Sequence, residues 1–232
     1  TERTKMAMPE TNIGLFPDVG GGYFLSRCPG RVGEYLALTG QVIGAGDAIA
    51  WGLADGYASS EVLKTFEEAP NTGRFASDAD VLRDLRARLH PAPAPVLAVQ
   101  QAAIDHHFGQ PGVSEIMASL QQDDSPWAQE TLAAMRKRSP LMMCVTLEQI
   151  RRARSMGLAD DLRMERDLVR NCFSIRPGTA SETVEGVRAL AVDKDHTPRW
   201  NPPTIEAVTP EMVQQFFRSP WPRHAHPLHG LD

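Results

Sequence analysis

The chain has 232 residues, 42% of them hydrophobic and 23% charged, a globular composition that excludes wholesale disorder and fibrous repeats. A net charge of −5 argues against nucleic acid or an anionic membrane as partner, and no apolar run approaches the ~20 residues of a membrane span. Cys28, Cys144 and Cys172 have no paired spacing, which points to a reduced, cytoplasm-like compartment.

In chain order, Thr1–Lys5 leads into no apolar stretch of the signal-peptide kind. Lys5–Met8 is a short apolar stretch stopped by Pro9, and it reads as a strand ending at Glu10. Gly20-Gly21-Gly22 opens a helix through Tyr23, Phe24 and Leu25. Apolar positions 32, 35, 36 and 38 predict another, closed by Gly40. Ala45–Trp51 reads as a further short helix, with Asp55–Ala58 as the strand or turn after it. Residues 1–60 hold more than half of the 18 glycines, a composition of turns and buried strands.

Beyond residue 60 the apolar period becomes helical. Asp78–Leu89 puts Val81, Leu82, Leu85 and Leu89 on one stripe, and Pro91, Pro93 and Pro95 then form a stiff break. Val96–Phe108, Pro111–Leu120, Pro126–Lys137, Pro140–Ser155 and Leu158–Phe173 are the next predicted helices. Ser125-Pro126 and Ser139-Pro140 supply good starts, with serine as cap and proline in the first turn. Pro220–Asp232 is a Pro/His-rich tail expected to fray. The expected organisation is residues 1–60 as an α/β portion, 61–217 as a helical region and 218–232 as a flexible tail.

Two acids, Glu10 and Asp18, lie in an otherwise apolar segment punctuated by Pro9, Gly14 and Pro17, with no adjacent cation. Pro9 and Pro17 forbid one continuous helix, but an Asn12-Ile13-Gly14 turn can fold the segment back and bring both carboxylates to one cavity. A carboxylate in apolar surroundings has its pKa raised, which suits acid–base work near neutrality. The structural alternative is that Glu10 belongs to a turn and Asp18 caps the following helix. The glycine triplet is not a phosphate loop, since no Gly-Lys-Ser/Thr follows it, although its N–H groups can line a pocket. His224, His226 and His229 lack a nearby cysteine or acidic ligand and read as tail residues rather than a metal site. His106-His107 reads as decoration of a helix face. Cys28 reads as structural. Arg136-Lys137-Arg138 and the arginines at 151, 152 and 154 read as solvated helix faces, one of which could meet the phosphates of an acidic cofactor.

From Met8-Pro9-Glu10 through Gly14-Leu15-Phe16-Pro17-Asp18-Val19-Gly20-Gly21-Gly22, the sequence resembles the crotonase (enoyl-CoA hydratase/isomerase) superfamily. The likeness continues through Tyr35–Gly40, Ala50–Asp55, Ser139-Pro140, Met164-Glu165 and Glu185–Ala189. It runs on through Asp193-Lys194-Asp195, Pro198-Arg199-Trp200-Asn201-Pro202 and Val208–Val213. The Pro-Asp-Val-Gly-Gly-Gly run and the Asp-Lys-Asp and Pro-Arg-Trp-Asn-Pro segments resemble its thioester-hydrolase branch.

That resemblance implies an α/β, crotonase-like β-β-α spiral core, of which residues 1–60 would be the later part, with a helical C-terminal region. It implies hydrolysis of a short β-hydroxyacyl-CoA thioester, 3-hydroxyisobutyryl-CoA, to the free acid and CoA in valine catabolism. Glu10 would be the catalytic carboxylate and Asp18 the acid that contacts substrate. No metal or redox cofactor is implied, because CoA arrives as part of the substrate. The oxyanion donors and much of the CoA site would lie in an upstream half absent from the sequence. The expectation is therefore a fragment that depends on the missing N-terminal half of the same protein. A homo-oligomer is left open, and the compartment would be the cytoplasm in a bacterium or the mitochondrial matrix in a eukaryote. Enoyl-CoA hydration or isomerisation through the same Glu10 is one alternative, and a non-catalytic crotonase-like scaffold or subunit is another.

Overall fold

The computed structural model describes residues 1–67 and 77–231. Twelve α-helices occur among them. The first six are α1 (Gly21–Leu25), α2 (Val32–Thr39), α3 (Ala45–Ala50), α4 (Ser60–Glu67), α5 (Asp78–Ala87) and α6 (Gln101–Phe108). The others are α7 (Val113–Gln121), α8 (Pro126–Met135), α9 (Pro140–Ala153), α10 (Leu158–Ser174), α11 (Glu182–Val187) and α12 (Pro210–Phe216). Caps expected from sequence set several starts: Ser125 and Ser139 accept the N–H groups of Ala128 and Met142, each with proline in the first turn.

Extended pairing among the described residues is confined to two isolated antiparallel bridges, Met6 with Ile43 and Tyr57 with His90. This corrects the expected strand ending at Glu10, and no β-β-α spiral is seen in the described residues. Met6 and Ile43 exchange N–H···O=C bonds of 3.0 and 2.8 Å, and the pairing goes no further. Pro9 has no N–H to extend a ladder and sits at φ −91°, ψ 20°, so the chain turns there and Glu10 opens a 3-10 turn instead.

The chain divides into two compact units. In the first, Thr1–Ala7 with Val42–Gln101, Asp47 reaches the proline-rich break by accepting the Leu97 N–H at 2.7 Å. Ser77 caps α5. The second unit, Met8–Gln41 with Ala102–Asp232, carries both singled-out acids. Its α9 is buried over most of its surface, and Leu141, Met142, Val145 and Ala153 join Phe16, Leu168, Cys172, Val213 and Phe216 in one core. Phe16 lies between the two acids in sequence and is fully buried, so this core fixes the segment from within.

His107 is 4% exposed rather than a surface decoration. Its ring nitrogens meet Ser119 at 2.7 Å and Asp123 at 3.0 Å, tying α6 to α7 and the turn after it. The end of the chain lies against α10: Arg163 donates to the carbonyls of Leu228 and Leu231, and His226 faces Asp167 at 3.2 Å.

Candidate active site

Glu10 begins a 3-10 turn, Glu10–Ile13, that Gly14 closes at φ +64°. Only glycine suits that position, because a Cβ there would also fall on the Glu182 carbonyl at the start of α11. The Thr183 hydroxyl donates to the Gly14 carbonyl at 2.6 Å, and Gly186 lets the backbone of α11 lie against Ile13. The turn bearing Glu10 is thus seated on α11 by backbone-to-backbone approach.

Helix α11 is braced in turn by the segment that carries the Asp-Lys-Asp and Pro-Arg-Trp-Asn-Pro motifs. Buried Glu185 accepts the Arg199 N–H at 2.8 Å and pairs with Arg188, whose guanidinium also reaches Asp193 and Asp195 at 2.7 Å each. Buried Glu182 accepts the Asn201 N–H at 2.7 Å and the hydroxyl of Ser139, the cap of α9. These motif residues therefore act on the Glu10 turn through α11.

Asp18 opens the turn that leads into α1, where its carbonyl accepts the Gly21 N–H at 2.9 Å. Glu10 and Asp18 are both half-buried, and the turns bring their carboxylates within electrostatic range. Burial, as the larger cause, and the negative charge of Asp18 raise the Glu10 carboxyl above the ordinary carboxylate range. Its own backbone hydrogen bond opposes the rise. The Glu10 Oε2 is buried and accepts no hydrogen bond from the described residues. A desolvated carboxylate oxygen of this kind is available to attack an electrophile or take a proton from water.

The glycine run has a different role from the one its sequence suggests. Side chains of α10 take the N–H groups on either side of Gly21: Gly20 and Gly22 donate to the two oxygens of Glu165 at 2.7 and 3.0 Å, and Tyr23 donates to Asp161 at 2.9 Å. Gln149 of α9 donates to the Pro17 carbonyl at 2.6 Å. Sequence reasoning missed Asp161 and Glu165 as partners of the turn. The signal was present, since two acids four residues apart share a helix with apolar Met164 and Leu168 and are themselves buried.

Several arginines of the basic clusters are spent within the protein, while Arg136 and Lys137 are exposed, as expected of a solvated helix face. Arg154 meets both oxygens of fully buried Glu34 at 2.8 and 2.7 Å, Arg152 meets Glu148 at 2.7 Å, and Arg138 donates to the Thr39 carbonyl at 2.7 Å. Cys28 is buried, which together with the nearby Glu34 charge pushes its thiol up to about 11 and leaves it inert at neutral pH. No group of three or more metal-type ligands occurs among the described residues.

The sequence pattern described as enoyl-CoA hydratase/isomerase matches residues 1–217. The chain is 38% identical to the mitochondrial 3-hydroxyisobutyryl-CoA hydrolase of Gallus gallus over 94% of its own length and 57% of that protein. Against the enzymes of the same name from Mus musculus and Homo sapiens it is 36% and 37% identical with the same coverage. The chain thus spans little more than half the length of these relatives. A carnitinyl-CoA dehydratase structure from Mycobacterium thermoresistibile superposes with a TM-score of 0.82 at 38% identity, over 94% of this chain and 60% of that one. An enoyl-CoA hydratase structure from Rhodobacter sphaeroides gives 0.80 at 37% identity, over 93% and 60%.

Proposed function

The chain belongs to the enoyl-CoA hydratase/isomerase family, and from that premise we propose that it hydrolyses a short β-hydroxyacyl-CoA thioester, 3-hydroxyisobutyryl-CoA, to the free acid and CoA. The observation that carries this reading is the Glu10–Asp18 pair: a half-buried carboxylate with one undonated oxygen, and a second acid close enough to act on it. Hydrolysis needs a group that delivers an oxygen nucleophile to a thioester carbon, and a β-hydroxyl needs an acceptor beside it. Glu10 and Asp18 fill these two parts.

In this reading the ionised Glu10 attacks the thioester carbonyl, expelling CoA as thiolate and leaving an acyl anhydride that water cleaves, or it takes the proton of a water that attacks directly. Both routes consume one water and release one acid and one thiol. Asp18 accepts the hydrogen bond of the substrate β-hydroxyl and fixes the acyl chain over Glu10. Backbone N–H groups from the family's β-β-α spiral, upstream of Glu10 in the complete fold, hold the oxyanion. No metal or redox cofactor takes part. The step belongs to valine breakdown, in the mitochondrial matrix of a eukaryote or the cytoplasm of a bacterium.

The hydratase and dehydratase names of the solved relatives favour a second reading, in which Glu10 moves a proton during addition of water to an enoyl-CoA. Parallel assays of the full-length protein separate the two. Free thiol released from 3-hydroxyisobutyryl-CoA supports hydrolysis, whereas loss of the enoyl chromophore without thiol release supports hydration.

A further inference from the structure

Between Pro17 and Tyr23 the chain makes a turn that its own sequence does not favour. Val19 is β-branched yet sits at φ +55°, and Gly20 follows at φ +86°. The Val19 side chain is 78% exposed, so its packing does not hold the conformation. The hold comes from α9 and α10. Glu165 is 3% exposed and receives Gly20 N–H on one carboxyl oxygen and Gly22 N–H on the other. Asp161 receives Tyr23 N–H, and Gln149 links the Pro17 carbonyl to Glu165 through donor contacts of 2.6 and 3.3 Å. Asp18 is the residue these anchors bracket.

We propose that Glu165 is a positioning residue for Asp18: its two carboxyl oxygens pin the Gly20 and Gly22 N–H groups and so aim Asp18 at the substrate. The role assigned to Asp18 rests on the hydrolase reading above; the anchoring does not. Asp161 and Glu165 lie one helical turn apart and are both buried, Glu165 on the Gly20 and Gly22 N–H groups and Asp161 on the Tyr23 N–H. Both side chains close on the glycine run at short range. Gly22 is glycine for the same reason, because a Cβ there would strike Asp161 Oδ1. The two N–H donors at the start of α1 meet the buried Glu165 carboxyl and partly offset the cost of burying it.

The test uses Glu165→Gln in the full-length protein. Glutamine offers one acceptor oxygen and one NH2 group, so it can satisfy only one of the two glycine N–H groups. Amide exchange at Gly20 or Gly22 should rise at least ~10-fold while that of α12 is unchanged, and the Asp18 carboxyl carbon resonance should move. Hydrolysis of the β-hydroxyacyl-CoA should fall about 10-fold, hydrolysis of the same acyl-CoA without the hydroxyl by less than about 2-fold, and the loss should vanish in an Asp18→Asn background. Unchanged exchange at both glycines with an unmoved Asp18 resonance would overturn the proposal. So would equal losses for both substrates, or losses that multiply with Asp18→Asn. Absence of hydrolysis in the unmodified protein would count against the hydrolase reading alone, leaving exchange and the Asp18 resonance to decide the anchoring. Should Glu165→Gln not fold, Gln149→Met removes the donor shared by the Pro17 carbonyl and Glu165, leaves both glycine N–H bonds to Glu165 in place, and should move the same two signals in the same direction by less.

Discussion

Glu10 and Asp18, eight residues apart in sequence, are close enough in the folded chain for the charge of Asp18 to add to burial in raising the Glu10 carboxyl. Their placement depends on two turns of different origin. Gly14 closes the one bearing Glu10 against α11, and Glu165 holds the one bearing Asp18 against α10. Each acid is placed by a separate helix, so perturbations of the two should be separable.

If Asp18 receives the substrate β-hydroxyl, Asp18→Asn should harm the hydroxyacyl-CoA more than the matching acyl-CoA without a hydroxyl. A buried polar group that loses its partner costs about 1–3 kcal/mol, which corresponds to a change in preference of roughly 5- to 150-fold. Comparing kcat/KM for the two thioesters checks this. Equal losses would make Asp18 a general electrostatic element.

The raised carboxyl of Glu10 sets the acid limb of the pH profile. Glu10 acts ionised, so activity is present above its folded-state pKa and falls as pH drops through it, at a pH above that of an ordinary carboxylate. Removing the Asp18 charge takes away one of the two causes of the rise. The limb of Asp18→Asn, followed with the unsubstituted acyl-CoA, should therefore move to lower pH, and a limb that stays fixed would mean another group controls it.

Stability should also depend on pH through the buried acids of α10. Burial, the larger cause, and the neighbouring Asp161 raise Glu165 from 4.5 to about 8, against the opposing donors Gly20 and Gly22. A carboxyl whose folded pKa is raised favours the folded state while protonated. Its contribution is complete below the unfolded value and is lost as pH rises towards about 8. The slope is at most about 1.4 kcal/mol per pH unit for one proton. Urea unfolding across pH 5 to 9 should show it. Asp161→Asn removes the like charge and lets an amide donate to Glu165, so it should flatten the slope.

Much of the helical half was legible in the sequence, because Ser-Pro caps and 3.6-residue periodicity are local signals, as at Ser139-Pro140 and along α9. Glu10 and Asp18 stood out as acids without nearby cations in an apolar segment. The absence of a strand before Glu10 was not legible, since pairing depends on what lies beside a segment, and among the described residues Met6 pairs with Ile43 alone. Nor was the use of the glycine run, whose partners Asp161 and Glu165 lie more than 130 residues away along the chain. His107 read as a surface residue because its partners Ser119 and Asp123 belong to another helix and the turn after it.

Gly14→Ala tests the seat of the Glu10 turn. The substitution forces a side chain into φ +64° and onto the Glu182 carbonyl, and it should destabilise the protein by more than about 1 kcal/mol. It should also lower turnover, because the displaced turn carries Glu10. An unchanged urea midpoint would show that α11 does not constrain the turn.

The central claim is that Glu10 performs the chemistry, and Glu10→Gln in the full-length protein tests it most directly. Glutamine keeps the shape of the side chain and removes the ionised oxygen. Thiol release from 3-hydroxyisobutyryl-CoA, followed under saturating substrate, should fall at least ~100-fold, while the urea midpoint at neutral pH stays at or above that of the unmodified protein. Near-normal thiol release from a folded Glu10→Gln protein would contradict the account.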